Sequence, residues 1–205
     1  QGLQTSTANL EVLGEPNLAH YLAIGGFLAD SSRLITSTID LGKIRAVGRA
    51  HQKESTMQGV DHHGAILQDG LKLNSHTVLS LQASNGETGI EQNLELFRGS
   101  AGRIVVDATR SLPHSDLVSG FSATTFEAQS WGGPLGIGFI AITDAKNFRY
   151  PLPHIAPIRV PGSFSLPLLI GSAIALDEVK GEIAALARMR LQLGAKLQTI
   201  EGVTV

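Results

Sequence analysis

Asp107 closes an apolar run, RIVVD at 103–107, and is followed by Ala-Thr-Arg. A carboxylate at the carboxyl end of a parallel strand stands where α/β folds present polar groups to ligands, so Asp107 is a candidate partner for a ligand cation. The same carboxylate also suits the turn that follows the strand, where it caps backbone N–H groups. The segment GGPLGIG at 132–138 has the glycine density of a phosphate loop. It lacks the strand-to-helix context and contains a proline, so it reads as a turn between two strands. Asp61, His62 and His63 bring metal-ligand types together, but adjacent histidines on a turn diverge and no helical His pair supports them. Serines and seven histidines are present without a G-x-S-x-G elbow. With no cysteine there is no disulfide, thiolate metal site or thiol nucleophile.

The elements that position these residues follow from the chain's patterning. Its 205 residues are 42% hydrophobic and 17% charged, a globular rather than a disordered or coiled-coil composition. A formal charge of -2 without a basic face argues against nucleic-acid or membrane-surface binding. No apolar run is long enough to span a bilayer and no signal-peptide pattern opens the chain, which reads as soluble and cytoplasmic. The abrupt start suggests a fragment. The pattern predicts a helix over 17–28 capped by Asn17, despite the interior Gly25 and Gly26. A second helix is expected over 40–50, with Leu41, Ile44 and Val47 at helical spacing. Strands are expected at 33–37, 55–60, 77–82, 103–107, 121–126 and 137–143, with a short helix around 93–98. Five prolines in 148–167 read as an ordered crossing segment, and Val179, Ile183, Leu186, Leu193, Leu197 and Ile200 mark an amphipathic helix over about 178–200. The expected fold is one α/β domain, 1–205, whose mostly parallel sheet is flanked by helices.

Taken in order, SLQASNGETGIEQ, IVVDATRS and GGPLGIGFIAI resemble segments of the cysteine desulfurases, the class V aminotransferase family of fold type I enzymes that use pyridoxal phosphate (PLP). The family writes them approximately as Asn-Asn-Glu-x-Gly-x-x-Gln, Asp-Ala-x-Gln and Ser-x-His-Lys-x-x-Gly-Pro-x-Gly. The similarity extends back through LAIGGFL and RLITS and forward to PGSFSLPLLIGSAIAL. It implies the fold type I large domain, with the family's N-terminal segment absent and its small domain reduced or absent.

Residue by residue, the resemblance keeps the scaffold and alters the chemistry. Asn85, Glu87, Gly89 and Gln92 match the loop motif, and Asp107 matches the Asp that pairs with the pyridinium nitrogen. The position of the Schiff-base lysine is Ser130, preceded by Gln129 in place of His, and the phosphate-binding Ser falls at Glu127. Leu41 stands for the ring-stacking His, Arg110 for the Gln beside the ring oxygen, and Glu15-Pro16-Asn17 for the Gly-Gly-Thr loop. The substrate-carboxylate Arg falls near Val160, next to Arg159, and the persulfide cysteine has no counterpart. A serine supplies neither the covalent anchor nor the base that a lysine supplies. The other lysines, Lys43 among them, read as surface residues.

The resemblance therefore implies a desulfurase-like protein without the Schiff-base lysine, a non-catalytic scaffold or oligomerising partner that forms a homodimer or pairs with a paralogue. The alternative is an aminotransferase-like enzyme that holds PLP non-covalently through Asn85, Asp107, Arg110, Ser130 and Ser163. A further possibility is an unrelated activity that uses Glu127 or a histidine as acid or base.

Overall fold

A computed structural model describes residues 9–31, 33–111, 120–154, 164–203 and 205. Its strands are β1 (Leu10–Leu13), β2 (Arg33–Ser37), β3 (Glu54–Gln58), β4 (Thr77–Gln82), β5 (Arg103–Asp107), β6 (Ala123–Glu127) and β7 (Gly138–Ile142). Its helices are α1 (Pro16–Leu28), α2 (Gly42–Ala50) and α3 (Leu166–Leu197). Among the described residues the strands form one seven-stranded sheet in the order β1-β7-β6-β5-β4-β2-β3. The five strands from β6 to β3 run parallel, and β7 reverses against both β6 and β1.

Alternation along the strands feeds two cores, as expected of a sheet buried on both faces. Leu34, Val78, Val105, Ala123 and Ile140 turn to one face and meet Ala23, Ile24 and Phe27 of α1 and Ile44 and Val47 of α2. Ile35, Leu79, Leu81, Ile104 and Val106 turn to the other, which Ile66, Leu94, Phe97 and Phe121 close. Among the described residues, connecting segments cover the middle of that second face. Toward its β7 edge, Phe126, Trp131 and Phe139 form an aromatic cluster that receives Leu168, Leu169, Leu176 and Val179 of α3.

The elements expected from the pattern are present, with shifted ends. The first helix begins at Pro16, and Glu15, not Asn17, is its cap: the Glu15 carboxylate accepts from Asn17 N–H at 3.1 Å and from Asn17 Nδ2 at 2.9 Å. Proline suits the first helical position because that N–H has no intrahelical partner. The interior glycines are contact points. A Cβ on Gly26 would lie 2.1 Å from the Phe148 ring, so the aromatic ring packs directly on the helix backbone. The second helix starts at Gly42 rather than residue 40, because Asp40 is used in the preceding turn. The segment around 93–98 is a single 3₁₀ turn, Leu94–Phe97.

Two expectations need larger correction. Strand β1 was not anticipated; it pairs with β7 alone, so little of its alternation shows in the sequence. The long helix begins at Leu166, twelve residues before the expected 178, because Pro167 lies in its first turn, where proline is tolerated, and so does not belong to a crossing segment. Residues 155–163, the centre of that expected segment, lie outside the described residues. Among the described residues no helix is long and apolar enough to cross a membrane.

Candidate functional site

The parallel strands deliver their carboxyl ends to one edge of the sheet, and the antiparallel pairing of β1 with β7 brings the start of α1 to the same edge. Glu15, Asp40, Asn85, Asp107 and Glu127 therefore stand along one border, each just after or at the end of a strand. Alternation adds a second constraint. Val105 and Ala123 face α1, so Asp107 and Glu127, two and four residues on, project to that same side. Gly138 lets α1 approach this border: a Cβ there would sit 2.7 Å from Pro16 Cα.

His20 ties the helix to the sheet beneath this edge. Its Nδ1 lies 3.1 Å from Thr125 Oγ1 on β6 and its Nε2 2.9 Å from Ser80 Oγ on β4. The imidazole thus bridges two strands across the intervening β5. Burial lowers its pKa, with the Asp107 carboxylate opposing and the Lys43 cation assisting. It is therefore a neutral ring whose two nitrogens are used in hydrogen bonds, a structural clamp with no nitrogen left for a reacting group.

Asp40 is also strongly perturbed at this edge. Its Oδ2 accepts from Ser37 N–H at 2.9 Å, while Oδ1 is buried without a hydrogen-bond partner. Burial pushes its carboxyl up to about 7, and Asp107 adds to the shift; the Ser37 hydrogen bond and Arg45 oppose it. Burial also raises Glu127, with Arg110 opposing, Asp107 adding and Lys43 opposing. Asp107 is thus the shared neighbour of His20, Asp40 and Glu127. The sequence reading singled out neither His20 nor Asp40. An apolar helix carrying one histidine, and an aspartate three residues after a serine that ends a strand, are the signals available for them.

The residues singled out from the sequence behave differently from one another. Asn85 is buried and its amide is fully used: Nδ2 donates to Ile39 O at 3.2 Å and Gln82 Oε1 at 2.9 Å, while Oδ1 accepts from the N–H groups of Glu87 and Thr88 and from the Thr88 hydroxyl. It builds its loop. Asp107 Oδ1 accepts from Thr109 N–H at 3.0 Å and Thr109 Oγ1 at 2.7 Å, the turn-capping role. The Ser130 hydroxyl donates to Thr109 O, so these two positions are joined through one residue. Arg110 is exposed and lies over Gly86, where a Cβ would be 3.2 Å from its Cγ. Ser163 lies outside the described residues, as does Arg159.

Lys43 is exposed, as expected of a surface lysine, yet it sits at this edge: its charge acts on both His20 and Glu127, and its Nζ is 5.7 Å from the centre of the Tyr21 ring. The Gly132–Gly138 segment is the turn expected, with φ of +76° at Gly132 and the Gly133 backbone too close to Ala128 O, 2.8 Å, for any Cβ. Asp61 accepts from the N–H groups of His63 and Ala65, closing a loop in which the His62 and His63 rings lie 3.8 Å apart. Among the described residues no group of three or more His, Asp or Glu is placed to hold a metal ion.

No protein-family model matches the chain and no curated protein matches it. Solved structures do. The structure of DndA from Streptomyces lividans superposes with a TM-score of 0.78 at 20% identity, over 94% of this chain and 61% of that one. A NifS-like protein gives 0.77 at 19% identity, over 93% of this chain and 60% of its own. A cysteine desulfurase from Thermococcus onnurineus gives 0.70 at 15% identity, over 87% and 53%. The chain thus spans about 60% of the length of the first two. At these identities the likeness is one of fold, and the chain has the large-domain fold of the cysteine desulfurase-like structures.

Proposed function

We propose that this chain is a cysteine desulfurase-like protein that has lost the Schiff-base lysine and serves as a non-catalytic scaffold or oligomerising partner. The observation that carries the reading is at Ser130. The position that resembles the family lysine holds a hydroxyl already donated to Thr109 O, next to a glutamate, Glu127, where the family has a phosphate-binding serine.

The other groups at the edge support it, because they do not fit PLP. The N-terminus of a helix is the ordinary seat of a phosphate, and here the Glu15 carboxylate already caps α1. Glu127 adds a second carboxylate where a phosphate dianion needs donors. Asp107 has one oxygen committed to Thr109, and Asn85 has no donor or acceptor left for a ring substituent. These partners all lie within the chain, so Asn85 and this Asp107 oxygen are committed without a cofactor.

Trapping tests this reading. The purified chain is incubated with PLP and borohydride, and its intact mass and peptides are then measured. The reading expects only slow, scattered labelling of exposed lysines. Fast, stoichiometric labelling of one lysine, Lys43 being the one at the edge, would overturn it and favour the alternative cofactor-binding enzyme.

A further inference from the structure

The border of the sheet opposite Asp107, where β5 and β6 begin and β7 ends, holds an open cavity of about 520 Å³. That volume is in the range of small-molecule sites. Residues 99–103 and 120–122, which lead into β5 and β6, and the turn after β7 supply most of its wall.

The lining is rich in donors. Arg103 Nη1 donates to Ser31 Oγ at 3.0 Å and to Ser75 O, which fixes the guanidinium, while its Nε is buried with no hydrogen-bond partner. Ser122 Oγ accepts from Ile104 N–H at 3.1 Å and keeps its own proton to donate. The Ser100 hydroxyl and the Lys146 ammonium add further donors. Of the three charged residues in the wall, only Asp144 is an acid, and both its carboxylate oxygens accept from Asn147 Nδ2 at 2.9 Å. The nearby Arg98 and Arg149 are already paired, with Glu95 and Asp30. Among the described residues no ion pair neutralises Arg103 or Lys146. In a chain of formal net charge -2, this concave patch is locally positive, and it suits an anion that accepts several charge-assisted hydrogen bonds.

The spacing of the two cations sets the kind of anion. Arg103 opens β5 and Lys146 follows β7, with β6 between them. At about 4.8 Å per strand their backbones stand about 10 Å apart, on either side of the cavity. That arrangement is matched to the two ends of a diphosphate rather than to one phosphate group. We propose that this cavity binds a diphosphate-bearing small molecule between Arg103 and Lys146, with Ser100 and Ser122 donating to its oxygens. The site lies at the other end of the strands from Asp107, so it is independent of whether that border holds PLP.

Calorimetric titration of the full chain with inorganic pyrophosphate at low salt should show saturable one-to-one binding that weakens as salt is added. Inorganic phosphate should bind about tenfold more weakly, because it meets one cation at a time. Lys146→Met, at an exposed position, should weaken pyrophosphate binding about tenfold, and Arg103→Met at least as much. Lys180→Met, an exposed cation outside the cavity, should leave the affinity unchanged. Amide NMR shifts on titration should centre on residues 100–103 and 120–122. Absence of saturable binding, equal affinity for phosphate, or an equal loss in Lys180→Met would each overturn the inference. So would indifference to both cavity substitutions, or shifts centred on Asp107 and Glu127. Arg103 also ties β5 to neighbouring turns, so should Arg103→Met not fold, Lys146→Met and Ser100→Ala carry the test: unchanged affinity in both would overturn the site. The PLP trap reports on the other border, so failure here and failure of the non-catalytic reading are distinguishable.

Discussion

Asp40→Asn should make the protein more stable at alkaline pH and flatten its pH dependence below neutrality. The wild-type carboxyl is pushed from 3.8 to about 7 in the folded state, chiefly by burial. A carboxyl with a raised folded pKa binds its proton more tightly folded than unfolded, so stability is fully present below pH 4 and is lost as pH rises through 7. At 1.36 kcal/mol per pH unit, that window removes about 4 kcal/mol. Asparagine carries no charge at any pH and keeps an acceptor for Ser37 N–H. Its amide nitrogen takes the place of Oδ1, which has no partner, at a cost of about 1–3 kcal/mol. The variant should therefore gain about 1–3 kcal/mol at pH 8, a rise in Tm of a few degrees. Near pH 4.5 it should gain nothing. Thermal and urea melts of both proteins between pH 4 and 8 give the difference curve, in which titrating groups that do not sense the Asp40 charge cancel. Parallel curves across that range would refute the reasoning, since they would mean that Asp40 titrates like an exposed carboxyl.

Other substitutions probe the contacts that build the edge. His20→Leu removes the bridge between β4 and β6 and leaves the Ser80 and Thr125 hydroxyls without it; a loss of about 2–4 kcal/mol is expected in urea melts at pH 7. Gly26→Ala places a methyl in the Phe148 ring, which itself stacks edge-on to Phe27 at 5.2 Å, and should cost about 1–3 kcal/mol of melting stability. Trp131→Phe deletes the hydrogen bond to Ser172 O that anchors α3; hydrogen exchange should accelerate in α3 while β4 and β5 stay protected.

The parallel strands were legible because RLITS, TVLSLQ and RIVVD are short apolar runs between turn residues, and their ends agree with the structure. β1 was not legible, since an edge strand of four residues carries no alternation long enough to distinguish it. The start of α3 was misplaced because Pro167 looks like a breaker, whereas a first-turn proline breaks nothing. At the site, Asn85, Asp107, Arg110 and Ser130 were brought out by motif order, and they do meet at one border. What motif order could not show is their partners: that the Asn85 amide is spent on its own loop, and that Asp107 and Ser130 both turn to Thr109. His20 and Asp40 were missed because their importance arises from burial, which depends on α1 lying across the sheet and on how the turn after β2 closes. The apolar stripe of α3 was visible in sequence as an amphipathic helix; in the structure Val179 packs on the aromatic cluster while Leu186, Leu193 and Ile200 are exposed.

The central claim is that this sheet edge does not hold PLP, and a direct titration tests it. Trp131, the single tryptophan, directly follows Ser130, so its fluorescence reports on the edge while visible absorbance reports on the cofactor. No saturable quenching is expected up to millimolar PLP, and any visible band from scattered exposed lysines should show no one-to-one saturation. A one-to-one complex with a shifted band, lost on Asp107→Ala in a protein that still melts cooperatively, would contradict it.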